Sequence, residues 1–147
     1  MTPTRQVLPD RRQSITVNTE WDGHAFTVTV GFDASGQPRE VFADNAKGAM
    51  QATISDACVW ASIAMQFGAT PADLAKSLGR VPGWINGKEG ETAASPIGAI
   101  AVAIHVAANA SRDAIGGAEM GHVDVSAVQV AEKQGGAVGR DFDGAAE

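Results

Sequence analysis

The sequence predicts an α+β domain: a small antiparallel sheet, an N-terminal meander of about three strands, packed against two or three C-terminal helices. Three observations predict it. Apolar and polar residues alternate with period two from Ser14 to Ala43, the spacing turns helical after Gly48, and two later segments open with a hydroxyl residue followed by proline.

Ile15 and Val17, then Phe26, Val28 and Val30, define two strands with one apolar face. Asp22-Gly23 between them tolerates positive φ and predicts a tight hairpin. After a polar turn over Asp33-Ala34-Ser35-Gly36-Gln37-Pro38, residues 39–43 read as a third strand. Ile54, Cys58, Ala61 and Met65 share a stripe, which predicts a helix near 50–67 closed by Gly68. Thr70-Pro71-Ala72-Asp73 supplies an N-cap hydroxyl, a first-turn proline and an acid, the start of a short helix ending near Gly79. Residues 80–92 hold three Gly, one Pro and Asn86-Gly87, and read as an irregular loop around Trp84. Ser95-Pro96 then starts a helix that carries Ile97, Ile100 and Ile104 to about Asn109. The expected organisation is an arm over 1–13, a domain over 14–109 and an Ala/Gly-rich acidic tail over 110–147 that need not be ordered.

Composition excludes several classes of function. The chain has 147 residues and a net charge of −6, too acidic for a protein that neutralises the phosphates of a nucleic-acid duplex. The charge is uneven: residues 113–147 hold seven acids and two bases, so the region before them is almost neutral and a small phosphate-bearing ligand stays compatible. One cysteine, Cys58, leaves no disulfide framework or thiolate zinc site. Without a signal-peptide pattern or a membrane-length apolar run, a cytoplasmic protein is expected.

Five stretches, in order, carry a resemblance: Leu8-Pro9-Asp10-Arg11-Arg12, Phe26-Thr27-Val28-Thr29-Val30-Gly31, Arg39-Glu40-Val41-Phe42, Ser62-Ile63-Ala64-Met65-Gln66-Phe67-Gly68 and Ala94-Ser95-Pro96-Ile97-Gly98. Over roughly residues 8–105 the chain resembles the TSCPD domain, best known as a C-terminal module of adenosylcobalamin-dependent ribonucleotide reductases and also seen as a stand-alone protein. The likeness departs at Thr92-Ala93-Ala94-Ser95-Pro96, where the cysteine of the family's namesake stretch is missing. Ribonucleotide reduction itself needs several cysteines in a large catalytic domain, so the resemblance implies an accessory module and not a reductase.

Arg11 and Arg12 are the densest positive charge, suited to phosphate by their forked donors or else a solvated, mobile arm. Lys47-Gly48 precedes a helix N-terminus but lacks the glycine spacing of a phosphate-binding loop. Trp84 with Arg80 and Lys88 offers an indole for a flat group beside two cations, against the alternative of a Trp capping the core. With Arg39 from the third family-like stretch, these are the expected ligand-binding residues. Cys58 and Trp60 read as core, Asp56 as exposed and Trp21 as the end of a hairpin. His24, His105 and His122 lack metal-ligand spacing, so no metal, cofactor or catalytic group is expected.

The expected function is a non-catalytic module of nucleotide metabolism that binds a nucleotide or a reductase subunit. The alternative is a protein that sequesters a nucleotide-derived signalling molecule. A sheet of few strands needs edge cover, so a homodimer or higher homo-oligomer is also expected.

Overall fold

A computed structural model describes residues 2–114 and the backbone of 122–124. Strands β1 (Ser14–Trp21), β2 (His24–Phe32) and β3 (Pro38–Asp44) form the expected meander. Asp22 and Gly23 both take positive φ at the β1–β2 turn, as the tight hairpin requires. Helix α1 spans Ala49–Gln66, α2 Pro71–Ala75 and α3 Pro96–Ala114. The fold is α+β.

Two elements depart from the sequence reading. Residues 80–92 form a hairpin, β4 (Arg80–Ile85) and β5 (Lys88–Ala93), about an Asn86-Gly87 turn. Proline and glycine hide its alternation, but Pro82 lacks only an N–H that a two-stranded ribbon does not need on its open side. Helix α3 continues past Asn109 to Ala114, and β6 (His122–Asp124), within the stretch read as a tail, pairs parallel with β1. The sheet order is β3-β2-β1-β6. The rest of the expected tail lies outside the described residues.

Alternation sends Ile15 and Val17, Phe26, Val28 and Val30, and Val41 and Ala43 to one face of the sheet, all buried. Ile54, Cys58 and Met65 of α1 and Ile100, Ala103, Ile104 and Ala107 of α3 complete the core. The alanines let α3 lie close to the sheet, and its start is closer still. The Ser95 hydroxyl accepts the Gly98 N–H at 3.1 Å as an N-cap. A Cβ on Gly98 would come within 3.0 Å of the Ala93 Cβ. The Ser-Pro-Ile-Gly stretch is therefore a cap, a first-turn proline and a close approach.

The free edge of β3 is closed by side chains of α1 instead of by another strand. Ser62 Oγ accepts from the Val41 N–H at 3.0 Å and donates to the Val41 carbonyl at 3.3 Å. Gln51 Nε2 donates to the Ala43 carbonyl at 2.8 Å, and Gln66 Nε2 donates to the Arg39 carbonyl at 3.2 Å. Gln51, Ser62 and Gln66 share one side of the helix, next to the core stripe. The C-terminus of α1 is satisfied as completely. The Ala69 N–H reaches the Ala64 carbonyl, the Gly68 N–H the Met65 carbonyl, and the Gln6 N–H the Gln66 carbonyl.

Trp60, read as core, is 80% exposed. Lying two residues from Cys58, it must point away from the stripe that Cys58 occupies. Among the described residues no helix is long and apolar enough to cross a membrane.

Ser62→Val leaves the Val41 N–H without its acceptor. It is expected to destabilise the protein by about 1–2 kcal/mol in urea unfolding. The exposed Ser77→Ala should stay within about 0.5 kcal/mol of wild type.

Candidate functional site

A cleft of about 410 Å³ opens where the end of β1, the α2–β4 link, β5 and the first half of α3 meet. Trp21 stands on its wall, anchored by its indole Nε1, which donates to the Ala93 carbonyl at 3.1 Å. Ala93, Ala99, Ala101 and Ala103 give the wall little relief, and the Gly98–Ala93 approach sets where α3 meets β5. Thr19 also lines the cleft. It is 8% exposed, and its Oγ1 is buried with no hydrogen-bond partner among the described residues. A buried hydroxyl left unpaired costs about 1–3 kcal/mol, which a ligand hydroxyl or amine would recover by displacing the atoms that cover it. Ionisable side chains on the wall are Glu20, Asp22, Glu91 and Arg80. Arg80 and Glu91 approach only to 4.0 Å and both are well exposed. The balance is acidic, so the cleft accepts hydroxyl and amine donors more readily than several phosphates.

Of the seven residues expected to bind a ligand, Arg80 alone lines this cleft. Trp84 is 70% exposed on the same hairpin, which removes the core-cap alternative. Arg80, Pro82 and Trp84 alternate onto one face of β4, with Arg80 and Trp84 roughly 13 Å apart along it. Trp84 lies opposite Glu89, whereas Lys88 pairs with Ile85 and so projects on the other face. The hairpin thus separates the indole from one of the two cations expected beside it.

The remaining cations are elsewhere. Arg12 Nε lies 2.5 Å from Glu40 Oε2, out of line for a hydrogen bond, while its Nη1 donates to the Pro9 carbonyl at 3.0 Å. Gly31 lies under this pair: a Cβ there would meet Glu40 Oε2 at 3.2 Å and Arg12 Cδ at 3.5 Å. Arg39 donates from Nε to Asp33 Oδ2 at 2.9 Å and from Nη1 to the Met65 carbonyl at 2.6 Å, a cation at the C-terminus of α1. Arg5 Nε donates to Gln66 Oε1 at 2.5 Å, so the arm is fastened to the domain by Arg5 as well as Arg12. Arg11 is exposed, as is Lys47 before the α1 cap residue Gly48. Four of the five family-like stretches therefore meet in one internal network of Arg12, Gly31, Arg39, Glu40, Val41, Ser62 and Gln66.

Within that network, burial alone would raise the Asp33 carboxyl. Hydrogen bonds from Ser35, Arg39 and the Gln37 backbone outweigh it and hold the group at about 2. Cys58 is pushed up to about 12 by burial and by the negative charge of Asp44, the environment of an inert core thiol. Among the described residues no three His, Cys, Asp or Glu side chains gather as a metal set.

Sequence reasoning missed Thr19, Glu20, Asp22 and Glu91 as neighbours in one cleft. The signal available was Thr19 itself, a polar residue on the period-two face that Ile15 and Val17 send inward. A model of the TSCPD domain family matches residues 1–108 of the chain. No curated protein and no solved structure matches it.

Because the folded Asp33 carboxyl titrates below its ordinary 3.8, its stabilising effect is present above about pH 4 and fades as pH falls toward 2. Allowing for solvent screening, Asp33→Asn should cost about 1 kcal/mol near neutral pH in denaturant titrations, with the difference shrinking as pH falls through about 2. Cys58 should react with an aromatic disulfide reagent at about pH 8 no faster than the protein unfolds, and at the rate of a free thiol once denaturant is added.

Proposed function

Since the chain belongs to the TSCPD domain family, a ribonucleotide reductase-associated family, we propose that it is a non-catalytic module of nucleotide metabolism that binds a small nucleoside-like ligand in the cleft between β1, β5 and α3. One observation carries this reading: the cleft has the size of a small-molecule site and holds a buried, unpartnered hydroxyl, Thr19 Oγ1. Carboxylates of Glu20, Asp22 and Glu91 accept hydrogen bonds from ribose hydroxyls or a base amine, and Arg80 meets a single phosphate. Trp84, farther along the same face, would cover a base that extends out of the cleft. One cation against three carboxylates favours a nucleoside or monophosphate over a triphosphate.

The role of ligand binder is favoured over direct capture of a reductase subunit by Arg12 and Arg39, because both guanidinium groups are engaged inside the domain. Exposed Arg11, Lys47 and Lys88 stand apart from the cleft and take no part in this reading.

Calorimetry against nucleosides, monophosphates and triphosphates should show saturable binding that weakens as phosphates are added. Thr19→Val should weaken all of these ligands about tenfold, while Arg80→Ala should weaken only the phosphorylated ones. Native mass spectrometry of the protein purified from cells would reveal a retained signalling nucleotide, the outcome that supports sequestration. Absence of heat with every nucleoside and nucleotide, together with capture of a reductase subunit, would overturn the ligand reading in favour of a docking module.

A further inference from the structure

Helix α1 has three functions around its circumference. Ile54, Cys58 and Met65 enter the core, and Gln51, Ser62 and Gln66 grip the edge of β3. The remaining side carries Val59, Trp60 and Ile63, with Phe67 at the C-cap, all exposed. An outward helix face ordinarily carries charge, yet Asp56 is the only charged residue among the 18 of α1.

The patch extends beyond the helix. The edge-gripping residues stand between the core stripe and Val59 and Ile63, so those two lie toward the outer face of the sheet. Phe42 projects from that same face of β3, half exposed, beside the Val41 that Ser62 holds. With Trp60 at 80% and Phe67 at 47% exposure, the five side chains leave roughly 500 Å² of apolar surface open per chain. That is large for a single exposed patch on a monomer.

We propose that this surface is the seam of a homodimer, in which two copies of α1 pack against each other about a two-fold axis. Area and charge both select a second copy. Covering the patch on two chains removes about 1,000 Å², the size at which specific interfaces begin. On α1 the patch bears no cation, and its single acid, Asp56, lies one turn before Trp60 at the N-terminal end of the stripe, so it offers a partner no charge pattern to recognise, whereas a second copy brings a matching apolar stripe. Aromatic Trp60 and Phe67 of one copy then fill the space beside aliphatic Val59 and Ile63 of the other. Strand β6 pairs with β1, at the edge of the sheet opposite to the one α1 closes.

Sedimentation or light scattering of the full chain at about 100 µM should give twice the 15.1 kDa chain mass. The double variant Trp60→Asp and Ile63→Asp, altering only exposed positions, should run at 15.1 kDa with an unchanged far-UV spectrum, its dissociation constant raised at least about 100-fold. Trp84→Asp, which places the same charge on the β4–β5 hairpin, should remain dimeric. A wild-type monomer, whether because the C-terminal segment covers the patch or because it awaits another protein, would overturn the proposal. So would a double variant that stays dimeric.

Discussion

A three-stranded meander ends on an exposed strand, and the backbone groups on that edge must be satisfied or covered. Here they are satisfied by side chains. Gln51, Ser62 and Gln66 occupy the Arg39 and Ala43 carbonyls and both backbone groups of Val41. This lateral grip fixes the rotation of α1 about its own axis. Rotation in turn decides that Ile54, Cys58 and Met65 enter the core and that Val59, Trp60 and Ile63 do not. It also shuts the edge to strand addition, since no donor or acceptor bound by α1 is free to pair with another chain.

The family-like stretches are best understood through that constraint. Arg12 and Glu40 meet above Gly31, Arg39 joins the Asp33 turn to the last turn of α1, and Gln66 binds both Arg5 and the β3 edge. These polar residues build a brace among the arm, the sheet and the helix. The cleft lies beyond that brace, against α3 and the β4–β5 hairpin, and shares with it only the sheet. A chain can therefore keep the brace intact while the residues around the cleft vary.

Much of the architecture was legible because local chemistry and burial agreed. Asp22-Gly23 announced one hairpin, Thr70-Pro71-Ala72-Asp73 one capped helix, and alternation over Ile15, Val17, Phe26, Val28 and Val30 the buried face. Asn86-Gly87 carries the same turn chemistry as Asp22-Gly23, yet its hairpin was hidden because Pro82, Gly83 and Gly90 interrupt the pattern on both sides. Trp60 was misplaced by its hydrophobicity, although its offset from Cys58 argued for the opposite side of the helix. The candidate site was the least legible. Arginines look available in a sequence whatever they touch, and the partners of Arg12 and Arg39 are assembled only by folding. In the sequence Thr19 is one more strand residue, and only the fold shows its hydroxyl buried beside the cleft without a partner among the described residues.

The two edges of the sheet also differ in when they can close. At β3 the closing contacts join residues 8 to 27 positions apart, such as Ala43 with Gln51 and Arg39 with Gln66, with Val41 and Ser62 separated by 21. At β1 they join Val17 to Val123. Loop-closure entropy makes the distant contact about 1.4 kcal/mol harder to form from an open chain. During synthesis, everything the first edge needs has emerged once α1 is complete, while β1 waits for the end of α3 and more. The helix-capped edge is thus an early, local event in folding, and the β1–β6 pairing follows it.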